Sequence, residues 1–396
     1  MTHDKAIELD KQYMMQTYGR LPLVPAHGKG ARLTDEDGKV YIDFTSGIGV
    51  NSLGFVDEGW ADAVTKQLWK IQHFSNYYYS SPTGEVAEML VKASGMKRAF
   101  FGNSGAEANE GAIKVARKYS YDKYGKGRAT IITLCSSFHG RTVTTLAATG
   151  QDVFHDFFFP FTEGFKYVPA NNLDALKEAL TEDVCAVMAE PIQGEGGVNI
   201  LTDDYMKALR SITEEKDILL ILDEVQTGIA RTGMMFGYQY SDILPDILTL
   251  AKGLGGGLPI GVFMVGEKCE ATLSAGQHGT TFGGNPVAAA GAKEVLSRVC
   301  DDKFLFEIRD KGEYIRGRIK AWDLPNVGEI RGRGLMIGIQ IKGESPKDVL
   351  HRAFDNGLLT LTAGSDVLRL LPPLTISYDE IDDGLTILKK SLESEG

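Results

Sequence analysis

Short apolar runs that do not alternate with polar residues set the tightest limit on how this chain folds. Val184–Ala189, Ile218–Leu222 and Ile247–Ala251 are almost unbroken in apolar side chains, and Ala129–Leu134 is similar. A strand with one solvated face alternates, whereas a strand covered on both faces does not. Runs of this kind separated by helical stretches predict a mostly parallel sheet with helices on its faces. Gly84–Ser94 and Gly105–Tyr119 read as helices; in the second, Ala108, Ala112, Val115 and Tyr119 recur at three and four. Another helix is expected from Pro286 to Val299.

Outside this region the pattern changes. The first 50 residues carry a turn signal at Asp37-Gly38 and a strand-like piece, Lys39–Phe44. Beyond residue 300, helices are expected near Phe304–Lys320, Pro346–Asn356 and Tyr378–Ser394, with a strand in Leu335–Ile341. A chain of 396 residues exceeds one small core. The prediction is a large α/β domain over 55–290 and a smaller α+β domain built from both termini, 1–54 and 291–396.

Composition excludes several classes. The 42 basic and 53 acidic residues give a net charge of −11, and no long Lys/Arg cluster offers a nucleic-acid surface. Cys135, Cys185, Cys269 and Cys300 are far apart and lack metal-ligand spacing, so no metal site is expected. Cys185 lies in an apolar run and reads as a buried free thiol. The start, Met1-Thr2-His3-Asp4-Lys5, has no apolar signal core, and no stretch is long enough for a bilayer. The expectation is a cytoplasmic protein with no membrane or nucleic-acid partner.

Two of the buried runs end in groups that carry chemistry. Ile218–Leu222 is followed by Asp223, and Ile247–Ala251 by Lys252 and a glycine cluster, Gly253–Gly257. Ligands of open α/β sheets sit at the carboxyl ends of the strands. A lone buried carboxylate is expensive, so Asp223 needs a cationic or donor partner. A protonated pyridine nitrogen supplies one, and a lysine nearby can form a Schiff base with an aldehyde. The pair therefore fits pyridoxal phosphate. In that arrangement Val225 packs on the ring and Gln226 reaches its phenolic oxygen. Two other readings exist: a surface lysine, and an Asp223 that binds Mg²⁺ for phosphoryl transfer. The second lacks the phosphate loop that should accompany it.

Other segments admit both a functional and an ordinary reading. Ser104–Asn109 opens a helix whose free amides at Gly105 and Ala106 suit a phosphate, yet Ser104 and Glu107 also fit a capping box. Phe138-His139-Gly140-Arg141 offers a ring to stack on a flat heterocycle and a fork for a carboxylate, or a core phenylalanine beside a surface arginine. Glu190–Gly197 places Glu190 and Glu195 beyond a buried strand. Gly279–Pro286 presents Thr280 and Thr281 in a turn, and Tyr18–Pro22 and Leu368–Leu374 add Arg20 and Arg369 near the two ends.

Together, in this order, these segments resemble the class III pyridoxal-phosphate aminotransferases over essentially the whole chain. The resemblance implies the type I fold of pyridoxal-phosphate enzymes, similar to aspartate aminotransferase, and a homodimer with shared active sites. It implies that Gly105 and Ala106 bind the cofactor phosphate, that Phe138 stacks on the ring, and that Asp223, Val225 and Gln226 complete the ring site. Lys252 is then the Schiff-base lysine, and Thr281 reaches the phosphate from the neighbouring subunit. Arg141 holds the substrate α-carboxylate, Thr280 and Tyr18 adjoin the substrate, and Glu195 and Arg369 match a pair that exchanges partners between the two half-reactions. Tyr18-x-Arg20-x-Pro22 is similar to members that act on N2-acetyl-L-ornithine. The implied reaction gives 2-oxoglutarate its terminal amine, forming N-acetyl-L-glutamate 5-semialdehyde and L-glutamate in arginine biosynthesis. Ornithine, succinylornithine, succinyl-diaminopimelate and 4-aminobutyrate are alternatives on the same scaffold. Decarboxylation or racemisation is a further one, and Arg141 argues against loss of the carboxylate it would grip. One departure from the family is Gly54-Phe55-Val56-Asp57-Glu58, which replaces a histidine-rich turn; it touches none of the expected cofactor contacts and bears only on the substrate entrance.

Overall fold

The computed structural model describes residues 2–393. Its largest sheet has seven strands in the order Arg98–Gly102, Gly261–Val265, Ile247–Leu250, Leu219–Asp223, Val184–Ala189, Thr130–Leu134 and Phe165–Val168. Pairing is parallel from Ile247–Leu250 to Phe165–Val168. Gly261–Val265 alone runs against both of its neighbours. The three inner runs are buried along their whole length, because helices cover both faces and leave no solvated side to alternate.

The expected elements appear with small shifts at their ends. The helix predicted from Gly84 begins at Ser81, with Pro82 in its first turn and Ser80 as cap. The helix from Gly105 continues to Tyr124, and Pro286–Val299 is helical throughout. The last helix spans Tyr378–Glu393, and Ser394 lies outside the described residues. Elements without a sequence counterpart include the antiparallel strand Gly261–Val265, the helices Glu58–Leu68 and Asp203–Glu215, and the helix His3–Tyr13, which buries no residue.

The chain ends are joined by pairing. Leu358–Leu359 adds in parallel to Ile42–Asp43, extending the sheet of Pro25–Lys29, Arg32–Asp35 and Val40–Asp43. A second four-stranded sheet contains Val327–Arg333, Met336–Ile341, Val367–Leu370 and Leu361–Ala363. It carries Arg369 opposite Gly338. Among the described residues, no helix is long and apolar enough to cross a membrane.

Candidate active site

The carboxyl ends of the parallel strands open into a cavity of about 470 Å³. Asp223, the last residue of its strand, lines it while only 3% exposed. Its Oδ2 accepts from Asn109 Nδ2 at 2.7 Å and lies 2.8 Å from His139 Nδ1. Its Oδ1 accepts from Val225 N at 3.0 Å. Three donors leave a carboxylate room for one more, and the cavity is where that donor must come from. Among the described residues Asn109 Oδ1 and His139 Nε2 are buried without a partner, so this corner is built around more than its own hydrogen bonds.

Across the parallel pair Asp223 faces Thr249, and three residues later the chain turns at Lys252. Lys252 has φ 42°, the left-handed region, where a side chain is strained by about 1–3 kcal/mol. Such strain gathers at functional sites. Lys252 lines the cavity, and among the described residues its side-chain amine has no hydrogen bond or ion pair. Burial pushes its amine below the ordinary lysine range; Glu195 pulls it back and Arg369 adds to the fall. An amine that loses its proton easily is a nucleophile.

The helix Gly105–Tyr124 starts at the cavity. Ser104 Oγ accepts from Glu107 N at 3.2 Å, and Glu107 Oε2 reaches back to Asn103 N at 2.8 Å. The cap and the free amides thus coexist: Gly105 and Ala106 line the cavity, and first-turn amides have no acceptor within their own helix. A side chain at Gly105 would meet Val225 Cγ1 at 2.7 Å, so only glycine lets the helix start sit against Val225.

Phe138 is half-buried at the wall, held by a 2.8 Å bond from its amide to Glu190 Oε1. Burial, with Asp223 nearby, pushes the Glu190 carboxyl up to about 7. Arg141 is exposed at the rim. Opposite, Arg369 is 2% exposed and donates to both Glu195 oxygens at 2.8 and 3.1 Å. Gln226 joins them, accepting from Arg369 at 3.0 Å and donating to Glu195 at 3.3 Å. Burial would raise the Glu195 carboxyl, but Arg369 holds it below the usual range.

Gly105, Ala106, Phe138, Arg141, Glu195, Asp223, Val225, Gln226 and Lys252 therefore share one cavity. Arg369 reaches it through Glu195. Thr280, Thr281 and Tyr18 do not line it. Thr280 Oγ1 lies 3.4 Å from Asn103 Nδ2, Thr281 is exposed, and Tyr18 is 73% exposed beneath Arg20. Phe55–Glu58 does not line the cavity either. Phe55 pairs with Gly30, and Asp57 caps the helix Glu58–Leu68 and meets Arg298 at 3.2 Å. Sequence reasoning assigned no role to Asn109 and His139, the two side chains that hold Asp223. Both sit inside segments already singled out, but nothing local links them to a carboxylate 114 and 84 residues away.

These groups fit pyridoxal phosphate: free amides for a phosphate, a carboxylate with one open acceptor position, and an unpaired amine. The class-III aminotransferase family model matches residues 13–392. The chain is 51% identical over 394 residues to the acetylornithine aminotransferase of Haemophilus ducreyi, covering 99% of each. It is 46% identical over 389 residues to that of Methanocaldococcus jannaschii, covering 96% of each. Among solved structures, an ornithine aminotransferase from Toxoplasma gondii superposes with a TM-score of 0.94 at 34% identity, covering 99% of this chain and 94% of that one. The N-acetylornithine aminotransferase from Stenotrophomonas maltophilia gives 0.84 at 38%, covering 98% of each. With its type I fold and its cavity built for pyridoxal phosphate, the chain belongs to the class III aminotransferases.

Proposed function

We propose that this enzyme moves the terminal amine of N2-acetyl-L-ornithine to 2-oxoglutarate, giving N-acetyl-L-glutamate 5-semialdehyde and L-glutamate, as a step of arginine biosynthesis. The observation that carries transamination is the unpaired Lys252 amine in one cavity with buried Asp223. The choice of amine rests on the curated relatives named above.

When bound, pyridoxal phosphate supplies an aldehyde that condenses with amines and a ring that withdraws electrons from the substrate carbon. Gly105 and Ala106 amides would hold its phosphate, Phe138 and Val225 its ring faces, Asp223 its ring nitrogen and Gln226 its phenolic oxygen. Lys252 would carry it covalently. Burial keeps Lys252 Nζ ready to take a proton from the amine-bearing carbon and return it. Arg141 would grip the α-carboxylate bidentately. Glu195 neutralises Arg369 while an amine with one carboxylate is bound, and releases it for the second carboxylate of 2-oxoglutarate or glutamate.

We read the working unit as a homodimer in which Thr281 serves the neighbouring phosphate and Thr280 and Tyr18 adjoin the substrate. Support comes from an exposed aromatic surface: Trp69 at 87%, Tyr77 at 95%, Tyr78 at 72% and Phe282 at 61%. Asn76 ties this segment to the threonine turn, donating to Thr280 O at 3.2 Å and Gly283 O at 3.1 Å. We divide the chain into 55–290 as the cofactor domain and 1–54 with 291–396 as the smaller one; the pairing of Leu358–Leu359 with Ile42–Asp43 supports this. The four free cysteines suit a reducing cytoplasm.

A panel of single half-reactions tests the substrate. N-acetylornithine, ornithine, succinylornithine and 4-aminobutyrate are each added to holoenzyme without keto acid, and loss of the bound cofactor's absorbance is timed. N-acetylornithine is expected to react with the highest kcat/KM; faster reaction with another amine overturns the assignment.

A further inference from the structure

Arg141 carries an exposed guanidinium that, among the described residues, no carboxylate or carbonyl engages. What it does touch is aromatic. Its central carbon lies 4.2 Å from the Phe154 ring centroid and 5.6 Å from that of Phe138. The two rings meet edge to face at 5.8 Å and 73°. Phe154 does not line the cavity, so its effect passes through Arg141 or Phe138, which do, and cofactor absorbance reports on the Phe138 route.

The ring is itself fixed. Phe154 ends a short turn, Asp152–Phe154, stitched to the loop that bears Phe138 and Arg141. Ser136 N donates to Gly150 O at 2.7 Å, Gly150 N to Ser137 Oγ at 3.0 Å, and Gln151 Nε2 to Ser137 O at 3.0 Å. His155 Nε2 lies 3.0 Å from Leu146 O on the other side. A guanidinium held over a ring by its central carbon leaves N–H groups free for a carboxylate and loses less rotamer freedom when one arrives.

We infer that Phe154 is a positioning residue that aims Arg141 and thereby sets the preference for amines bearing an α-carboxylate. This rests on the reading of Arg141 as the carboxylate grip. Discrimination is measured as the ratio of kcat/KM for N-acetylornithine to that for N-acetylputrescine, which lacks only the carboxylate.

Phe154→Leu is expected to lower the ratio about two- to fivefold, the range for an exposed cation–π contact, through KM for N-acetylornithine alone. Phe154→Trp should restore it. Phe154→Met serves if the leucine variant does not fold, and unchanged cofactor absorbance confirms an intact site. Equal losses on both amines, or an unchanged ratio, overturn the proposal. Arg141→Ala separates the two failures. If it collapses the ratio while Phe154→Leu does not, only the role of Phe154 falls. If Arg141→Ala leaves the ratio intact, the carboxylate grip falls and the inference with it.

Discussion

Arg369 and Glu195, 174 residues apart, face each other as fork to fork, with bonds of 2.8 and 3.1 Å and Arg369 almost wholly buried. A buried guanidinium without its counter-ion is costly, so the pair stays closed until another carboxylate takes over. Glu195→Gln removes the charge but keeps the shape. KM for glutamate is expected to fall by about tenfold, equivalent to 1.4 kcal/mol, while KM for N-acetylornithine does not fall. A glutamate KM that stays level would rule out Glu195 as the group that masks Arg369.

Lys252 should weaken the cofactor-free protein. Its folded-state pKa lies below its free value of 10.5, so the unfolded chain binds the proton more tightly. The penalty is therefore complete below the folded pKa and vanishes as pH rises to 10.5. Cofactor-free Lys252→Met is expected to show a higher Tm than cofactor-free wild type at pH 7, with the gap closing towards pH 10.5, and no transamination. A gap that ignores pH in calorimetry would contradict the desolvation argument.

Gly105→Ala should loosen the cofactor. The added methyl would stand 2.7 Å from Val225 Cγ1 and 2.9 Å from Cγ2, closer than real contacts allow. Either the helix start or Val225 must move, and both line the cavity. Fluorescence titration is expected to show cofactor affinity about tenfold weaker, or 1.4 kcal/mol. In the double variant with Val225→Ala, most of the loss should return, since contacting residues couple. Strictly additive losses would show that the crowding is not the cause.

Glu224 is a buried carboxyl with a different task. It accepts from Thr227 Oγ1 at 2.7 Å and from the amides of Gly237 and Tyr238 at 2.8 Å each. Burial pushes it up to about 7, so the folded protein holds a proton the unfolded chain releases from its ordinary 4.5 upward. The stability from this group is present below 4.5 and is lost as pH rises to about 7. Glu224→Gln sets an N–H group against N–H donors and should cost about 1–3 kcal/mol in urea unfolding. It should also flatten the fall in stability between pH 4.5 and 7. An unchanged slope would place the titration on other groups.

The parallel strands were legible because burial on both faces removes alternation, and Val184–Ala189 is observed with the bounds its apolar run gives. The reversed strand Gly261–Val265 was not, since a buried strand looks alike in either direction and its partners lie far off in sequence. The helix His3–Tyr13 buries nothing, so it leaves no apolar stripe to read.

At the site, residue types and strand ends pointed to Lys252 and Asp223, because a charge that closes a buried strand must find a partner to offset its lost hydration. The sequence alone determined the mostly parallel sheet, the residues at its functional edge and the chemistry they suit. Only the tertiary structure decided that Asn109 and His139 hold Asp223, that Gln226 joins Arg369 and Glu195, and that Phe55–Glu58 does not line the cavity. Local patterns record which faces are buried, whereas hydrogen bonds and ion pairs depend on side-chain distances set when distant segments pack.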